Sequence, residues 1–358
     1  MNKIINLAVA KIRLYLRKYN CRKTNHFVKD YYKLNKRIPI EFEHNIWSKN
    51  FYWDFFYHSL PHAEKSRYFV PYDYYSSVIE PALNDRRYSA FISMKNMYDR
   101  VYGNLEVKLP KTLLRCMNNI YMDAEYNLVP DARELIRSIK QDVIVKAASD
   151  SYGGYSVRKY ILRDDILTDK KSLAPFDLDT LNKAYKGSFL IQAVVKQHPE
   201  LARFHPYSLN TIRVMTYRSV KTNEVVIPMA MLRMGVDQSV VDNASSNGIA
   251  VAIDENGFLN NMAFNQFGKC FETHPTTNLK FEGSRVPNFN MIRSVAIRLS
   301  NIVPYQRIVG WDFSIDADGD PVLIELNIGT GTWMYQIVTG KPLFGIYSNE
   351  VKEYIDSL

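Results

Sequence analysis

The chain has 358 residues, of which 46% are hydrophobic and 23% are charged, as in an ordinary folded globular protein. No stretch approaches the roughly eighteen uninterrupted apolar residues of a membrane span, and the first residues lack the features of a signal peptide. The three cysteines, Cys21, Cys116 and Cys270, are too widely separated to indicate a disulfide framework or a zinc site. Their small number fits a protein of the reducing cytoplasm.

The net charge of +9 is concentrated at the start of the chain. Residues 1–40 contain eleven Lys and Arg residues against one acidic residue, Asp30, so the rest of the sequence is nearly neutral. Most apolar side chains of residues 4–16 fall on one face of a helical wheel, opposite most of the basic ones. This pattern is typical of a helix on an anionic membrane surface, but a helix packed on its own domain can show it too. We expect no nucleic-acid binding, because the remaining sequence has neither excess positive charge nor a recognition motif.

Residues 41–105 are rich in aromatic side chains and poor in glycine, which predicts a packed helical region. The spacing from Tyr72 to Tyr102 is helical, and Pro81 is expected to interrupt it. From Leu109 onward, short apolar runs alternate with turns.

A short buried strand ends near Lys146, and the loop that follows, residues 147–154, leads to a second strand starting near Tyr155. Gly153 and Gly154 would let the backbone approach phosphates and present N–H groups to them. The spacing is neither that of a Walker A loop nor that of a dinucleotide-binding loop. A Gly-Gly pair between two strands is also an ordinary hairpin turn.

Three further strands follow. Residues 188–195 form an apolar strand, and the next two strands each place one arginine, Arg213 or Arg233, among apolar residues. A buried arginine is costly unless it meets an anion, which is either a carboxylate of the protein or a phosphate of a ligand.

The strongest local signal is Asp318-Gly319, a dipeptide typical of tight β-hairpin turns, which lies between two alternating strands. A loop of two or four residues gives one register, and that register places Asp312 directly opposite Glu325. Like charges at opposed positions destabilise a sheet.

Asn327 lies two residues beyond Glu325 and therefore on the same face of its strand. A divalent cation would relieve the repulsion between Asp312 and Glu325, and oxygen ligands of this kind suit Mg²⁺ shared with substrate phosphates. The spacing excludes an EF-hand. A solvated hairpin with no metal is the alternative.

The order of these parts resembles the ATP-grasp superfamily, and the step from Asp312 to Glu325 is the spacing found in D-alanine–D-alanine ligases. More closely, the segments HPYSLNTIRVMTYR, MAMLRMGVDQSVVDNASSNGIAVAID and GWDFSIDADGDPVLIELN are similar to sugar-transfer-associated ATP-grasp proteins. The resemblance runs from about Tyr72 to near the C-terminus. It implies an α+β fold in which two lobes grip ATP. The expected parts are a basic arm, a helical region and two lobes, over residues 1–40, 41–105, 106–200 and 201–358.

The resemblance also implies roles for individual residues. Lys146 would contact the ATP phosphates, with the adenine as a second candidate contact. The loop covering the β- and γ-phosphates would contribute Ser151, Gly153 and Gly154. The adenine pocket would be lined by Gln192, Ala193 and Val195.

At the other side of the implied site, Arg213 and Arg233 would steady the transferring phosphoryl group. One or two Mg²⁺ ions would be held by Asp312, Glu325 and Asn327. The substrate would contact Asn243 and Ser246. Asn247 departs from the family pattern, since it stands where the first of two glycines is expected.

The implied activity is that of an ATP- and Mg²⁺-dependent carboxylate–amine ligase that acts through an acyl phosphate. Its substrate would be a sugar acid or an amino acid, free or lipid-linked, for cell-surface or capsule polysaccharide. The enzyme would work in the cytoplasm, at the inner membrane face if residues 1–40 bind lipid. Two alternatives remain: a sugar kinase with the same fold, and a non-catalytic adaptor that binds membrane or glycan.

Overall fold

The fold is built on two antiparallel β-sheets. The computed structural model describes residues 26–37, 44–47, 50–148 and 157–358. The strands of the first sheet are β1 (Thr112–Met117), β2 (Ile120–Met122), β3 (Val143–Ala147), β4 (Val157–Arg163), β5 (Ile166–Asp169) and β6 (Phe189–Ala193). Those of the second are β7 (Thr211–Arg218), β8 (Val225–Met234), β9 (Ile249–Ile253), β10 (Leu259–Asn265), β11 (Cys270–Phe271), β12 (Ile308–Ile315) and β13 (Pro321–Asn327). Their spatial orders are β2-β1-β6-β3-β4-β5 and β11-β10-β9-β8-β7-β12-β13.

Helices surround both sheets, which confirms the α+β class. The helices that precede the first sheet are α1 (residues 26–35), α2 (Phe51–His58), α3 (Tyr72–Tyr74), α4 (Glu80–Leu83), α5 (Ser89–Ile92) and α6 (Tyr98–Tyr102). Those that follow are α7 (Ala132–Ser138), α8 (Leu178–Tyr185), α9 (Pro199–Ala202), α10 (Phe289–Ile302), α11 (Thr332–Thr339) and α12 (Ser348–Asp356). None of the described helices combines the length and the hydropathy needed to span a bilayer.

Helices α7 and α8 pack against the first sheet. Each begins after an aspartate, Asp131 or Asp177, whose carboxylate accepts hydrogen bonds from backbone N–H groups of the first turn. Val143 and Val145 of β3 are buried in the core beneath these helices. Because side chains alternate along a strand, Lys146 lies on the other face of the sheet.

The second sheet is covered on both faces. Helix α10 packs on one face, where Trp311 and Phe313 of β12 are buried. The other face carries Met215 and Met231 and is covered by α2, α11 and α12, with Trp53 of α2 fully buried. The aromatic N-terminal region is therefore a packed helical layer, as predicted.

The helical segment from Tyr72 is not broken at Pro81, contrary to expectation. Helix α3 continues through a π-helical turn, Tyr75–Ile79, into α4, and Pro81 lies in the first turn of α4. Proline is tolerated in a first turn, and a π-helical turn changes the pattern of backbone hydrogen bonds before it.

The predicted hairpin closes with a different loop from the one expected. The backbone N–H of Asp316 donates to the carbonyl of Asp320 at 3.0 Å, so the loop has three residues, 317–319, rather than two or four. Gly319 has a φ of +91°, a conformation that glycine adopts without strain.

A β-bulge compensates for this odd-numbered loop. Phe313 pairs with Leu323, whereas the next pair along the hairpin is Asp312 with Glu325, so Ile324 is an extra residue on β13. The bulge restores the predicted opposition of Asp312 and Glu325. The predicted pair is correct, although the predicted turn is wrong.

The predicted basic arm lies only partly within the described residues. Residues 1–25 and 38–40 fall outside them. Helix α1 is described, and Phe27 contacts the rings of Phe56 and Phe267, both with centroids 5.1 Å away, while Val28 is fully buried. This part of the arm packs on its own protein.

Candidate active site

Asp312 lies at the centre of a buried charge cluster on the second sheet. Its cross-strand partner on β7 is Arg213, which donates from Nε to Oδ1 at 2.6 Å and from Nη2 to Oδ2 at 2.5 Å. Arg233 on β8 donates from Nη1 to Oδ2 at 3.0 Å. All three side chains are largely buried, so each charge depends on the others for compensation.

The ionisation of Asp312 follows from these contacts. Burial alone would raise its pKa, but the guanidinium groups of Arg213 and Arg233 hold the pKa below its ordinary value. Asp312 is therefore an anion, and its repulsion with Glu325 is compensated by cations of the protein itself.

Asp242 extends the cluster, and the sequence did not single it out. It accepts a hydrogen bond from Arg233 Nη2 at 3.2 Å and another from the Thr211 hydroxyl. Burial raises the pKa of Asp242, and the positive charge of Arg233 partly offsets this effect. The only sequence signal was its place directly before Asn243 in a segment that supplied the resemblance.

Asn243 and Ser246 lie at a short 3₁₀ turn beside this cluster. The carbonyl of Asn243 accepts the N–H groups of Ser246 at 2.9 Å and of Gly248 at 3.0 Å. Asn247 has a φ of +65°, so an asparagine adopts the left-handed conformation expected of a glycine. A Cβ at Gly248 would lie 2.3 Å from the carbonyl oxygen of Asp242, which explains the glycine there. Contact of this turn with a substrate stays a prediction.

Two lysines interact with Glu325, one by direct contact and the other electrostatically. Nζ of Lys95 is 3.0 Å from Oε1 of Glu325. Lys146 is buried, and burial lowers its pKa to about 8, with the charge of Lys95 acting in the same direction and Glu325 against it. The lysine of β3 and the carboxylate of β13 thus lie within electrostatic reach of each other, although they belong to different sheets.

Lys95 was not predicted, and the N-terminal region fixes its position. Its backbone N–H donates to the carbonyl of Ala148 at 2.8 Å. The next residue, Asn96, donates to the carbonyl of Cys116 at 3.2 Å and accepts from Arg115 Nη1 at 2.7 Å. These bonds attach the segment to the first sheet while the Lys95 side chain reaches the second. Lys95 belongs to no motif and lies 230 residues before Glu325 in the sequence, so no sequence pattern indicated this contact.

Asp312, Glu325 and Asn327 supply oxygen donors of the kind that Mg²⁺ prefers. Nδ2 of Asn327 lies 3.2 Å from Oδ2 of Asp312, and a flip of the amide would present its oxygen instead. No group of three or more His, Cys, Asp or Glu side chains in the described ranges is arranged to hold a metal. An ion would therefore need two carboxylates, one amide and oxygens of a bound phosphate, a composition typical of magnesium–nucleotide sites. The donor set fits Mg²⁺ in that form, and Asp312 would have to loosen one arginine contact to join it.

The segment between β3 and β4 carries the residues predicted to cover the ATP phosphates. Ser151, Gly153 and Gly154 lie outside the described residues. Their role stays a prediction. The strands on either side of the loop, β3 and β4, are antiparallel neighbours in the first sheet, as the pattern indicated.

The predicted adenine-pocket residues lie at the end of β6. Gln192 and Ala193 are the last two residues of that strand, and Val195 follows it. The amide of Gln192 donates to the carbonyl of Pro110 at 3.2 Å and to the hydroxyl of Thr112 at 3.3 Å. This amide is engaged within the protein, so a purine would meet other groups of the segment.

The chain beyond Asn327 returns to the face of β12 that carries the arginine cluster. A Cβ at Gly310 would lie 2.8 Å from Thr330 Oγ1 and 3.3 Å from the Tyr335 hydroxyl. Burial raises the pKa of Tyr335, whereas the nearby charge of Arg213 lowers it. A glycine on β12 therefore makes room for the Thr330 loop beside the charge cluster.

Comparison with known proteins identifies one family. The family model described as sugar-transfer associated ATP-grasp matches residues 75–352. None of the curated proteins matches this sequence.

Among solved structures, the chain is similar to ATP-grasp ligase PsnB complexed with minimal precursor, Mg and ADP. The identity is 13% and the TM-score 0.43, over 76% of this chain and 62% of that one. It is also similar to the D-cycloserine synthetase DcsG (12%, TM-score 0.39, 74% of this chain and 70% of that one). A third similar structure is D-alanyl-alanine synthetase A from Vibrio cholerae. The identity is 13% and the TM-score 0.41, over 74% of this chain and 65% of that one. The chain thus spans less than two thirds of the length of PsnB.

Proposed function

This chain belongs to the sugar-transfer associated ATP-grasp family, and on that basis we propose that it is an ATP- and Mg²⁺-dependent carboxylate–amine ligase. The observation that carries the proposal is the convergence of four cationic side chains, Lys95, Lys146, Arg213 and Arg233, around acidic residues at the end of the hairpin. Cations so arranged suit the phosphates of a nucleotide.

The lysines and the arginines have different proposed roles. Lys146 and Lys95 would bind the phosphate chain, since both are buried, Lys95 contacts Glu325, and Lys146 lies within its electrostatic reach. Arg213 and Arg233 would neutralise charge on the transferring phosphoryl group by exchanging part of their contact with Asp312 for its oxygens. Mg²⁺, when bound, would screen the charges of the β- and γ-phosphates.

The proposed chemistry has two steps. A carboxylate oxygen of the substrate attacks the γ-phosphorus of ATP, the bond from that phosphorus to the bridging oxygen breaks, and ADP leaves. An amine then attacks the acyl carbon, phosphate leaves, and the nitrogen loses a proton to give an amide. Buried guanidinium groups lower the barrier because they are already oriented when negative charge moves toward the transferred group.

We propose further that the substrate is a sugar acid or an amino acid used in cell-surface polysaccharide, free or lipid-linked. The family description, with its reference to sugar transfer, supports a carbohydrate context. The presence of eleven basic residues and only one acidic residue in residues 1–40 supports work at the inner face of a membrane.

The test is a screen by ADP release with sugar acids, amino acids and nucleotide sugars, in the presence of hydroxylamine. A ligase gives ADP and phosphate in equal amounts, and hydroxylamine traps the acyl phosphate as a hydroxamate. The sugar-kinase alternative gives ADP with a stable phosphorylated product and no free phosphate. The adaptor alternative gives no ADP with any substrate, and ATP binding that is the same in Glu325→Gln as in the wild type.

A further inference from the structure

Helix α1 has two faces of different character. Its inner face is fixed to the protein through Phe27, Val28 and Tyr31, and Tyr31 contacts the ring of Phe56 with centroids 5.0 Å apart. This packing sets which residues of α1 face outward.

The outward face is strongly basic. Its exposed side chains include Lys29 and Lys33, and the exposed Lys36 and Arg37 directly follow the helix. The acidic residue on this face is Asp30, which lies 2.9 Å from Lys33, and both side chains remain more than 60% exposed. The face therefore keeps a net positive charge.

Aromatic rings border the same surface. Tyr32 contacts the rings of Phe51 and Tyr52 on α2, with centroids 5.2 and 5.6 Å away. Nζ of Lys29 lies 5.6 Å from the centroid of Tyr52. Phe51 is 45% exposed, although a folded protein usually buries a phenylalanine. We call Lys29, Tyr32, Lys33, Phe51 and Tyr52 the basic-aromatic patch.

One further apolar side chain stands near this patch in the sequence. Leu34, directly after Lys33, is 85% exposed. The same helix thus exposes a leucine, and the rings and long cationic chains of the patch match the interface of a bilayer. There, aromatic side chains prefer the headgroup level and lysines reach lipid phosphates.

We propose that the basic-aromatic patch docks this protein on an anionic lipid surface. The occupant is a bilayer, because its negative surface potential complements the lysines and its interface accepts the half-exposed rings and Leu34. Because α1 packs against α2, the surface is part of the folded body, so docking gives the whole enzyme a fixed orientation. The proposal does not depend on the ATP site.

Flotation of the full-length protein with vesicles tests this proposal. The vesicles are phosphatidylcholine alone or phosphatidylcholine with phosphatidylglycerol, at two salt concentrations. The wild type is expected to bind the anionic vesicles and to dissociate at high salt. Lys29→Glu with Lys33→Glu should weaken binding about tenfold or more, given the attraction per basic residue near an anionic leaflet. Leu34→Ser, at an exposed site that leaves the fold intact, should weaken it several-fold by losing apolar insertion.

The control is Lys183→Glu with Lys280→Glu, which changes the net charge equally at exposed lysines elsewhere. This control should bind like the wild type. The proposal is overturned if both double variants lose binding equally, which indicates a general charge effect. It is also overturned if the Lys29 and Lys33 variant binds normally, which indicates attachment through residues 1–25. Binding to nucleic acid in preference to vesicles overturns it as well. ATP affinity should be unchanged in all of these variants. A failure of membrane docking can therefore be distinguished from a failure of the proposed ligase activity.

Discussion

Replacing Asp312 by asparagine should destabilise the fold and impair the nucleotide site at once. The carboxylate accepts hydrogen bonds from Arg213 and Arg233, and its side chain is only 5% exposed. Asn has one acceptor oxygen, and its NH₂ group would face the guanidinium groups. Breaking a buried ion pair on one side costs about 3–5 kcal/mol. For a chain of 358 residues this corresponds to a fall in Tm of about 4–7 °C.

Glu325→Gln is the matched comparison. The side chain of Glu325 is 27% exposed, and glutamine keeps an acceptor oxygen for Lys95. Its loss of stability should be about 1–3 kcal/mol, because the buried ammonium of Lys95 keeps a hydrogen bond but loses the compensating negative charge. Both variants should nevertheless lose most of the magnesium-dependent gain in ATP affinity, because each removes one proposed ligand of the ion.

Differential scanning fluorimetry and equilibrium binding of ATP with and without Mg²⁺ measure the two effects. Binding is recorded at a temperature where both variants are folded. Equal Tm values for Asp312→Asn and the wild type would show that Asp312 does not stabilise the buried arginines. A wild-type magnesium effect in both variants would show that the hairpin holds no metal.

Four further predictions concern the same region. ATP affinity should fall as pH rises through about 8, where Lys146 loses its proton, and Lys146→Arg should remove this step in a binding titration. Because the pKa of Lys146 lies below the ordinary 10.5, the free energy of unfolding should rise between pH 8 and pH 10.5, which a series of urea melts at different pH can measure. A free energy of unfolding that does not change over this range would contradict the burial of Lys146. Lys95→Met should weaken ATP binding about tenfold. It should also move the midpoint of the pH dependence of ATP binding upward, since Lys95 lowers the pKa of Lys146. An unchanged midpoint would show that the charge of Lys95 does not act on Lys146. Gly310→Ala should cost about 1–3 kcal/mol in chemical denaturation, because its Cβ would meet Thr330 Oγ1 at 2.8 Å; wild-type stability would mean that the Thr330 loop yields freely.

The hairpin shows what a local pattern can predict. Alternation along two strands correctly placed Asp312 opposite Glu325. The same pattern could not show the three-residue loop or the bulge at Ile324, because the two irregularities cancel in the register. The pairing was thus predicted correctly for a partly wrong reason.

The partners of these carboxylates depended on longer-range order. Arg213 meets Asp312 because β7 lies beside β12, and a crossover of about a hundred residues separates them in the sequence. The pattern had left open whether each arginine meets a carboxylate or a phosphate, and in this structure both meet Asp312. Lys95 was missed because hydrogen bonds to Ala148 and Cys116, rather than any motif, bring its segment to the site.

The most direct test of the central claim is equilibrium binding of ATP to the full-length protein and to Lys146→Met, with and without Mg²⁺. We expect the wild type to bind ATP more tightly with Mg²⁺, and Lys146→Met to bind at least tenfold more weakly while keeping the wild-type Tm or exceeding it, because a buried charge is removed. No ATP binding by the wild type, or equal binding by both proteins, would contradict the assignment of the lysine, arginine and carboxylate cluster as a nucleotide site.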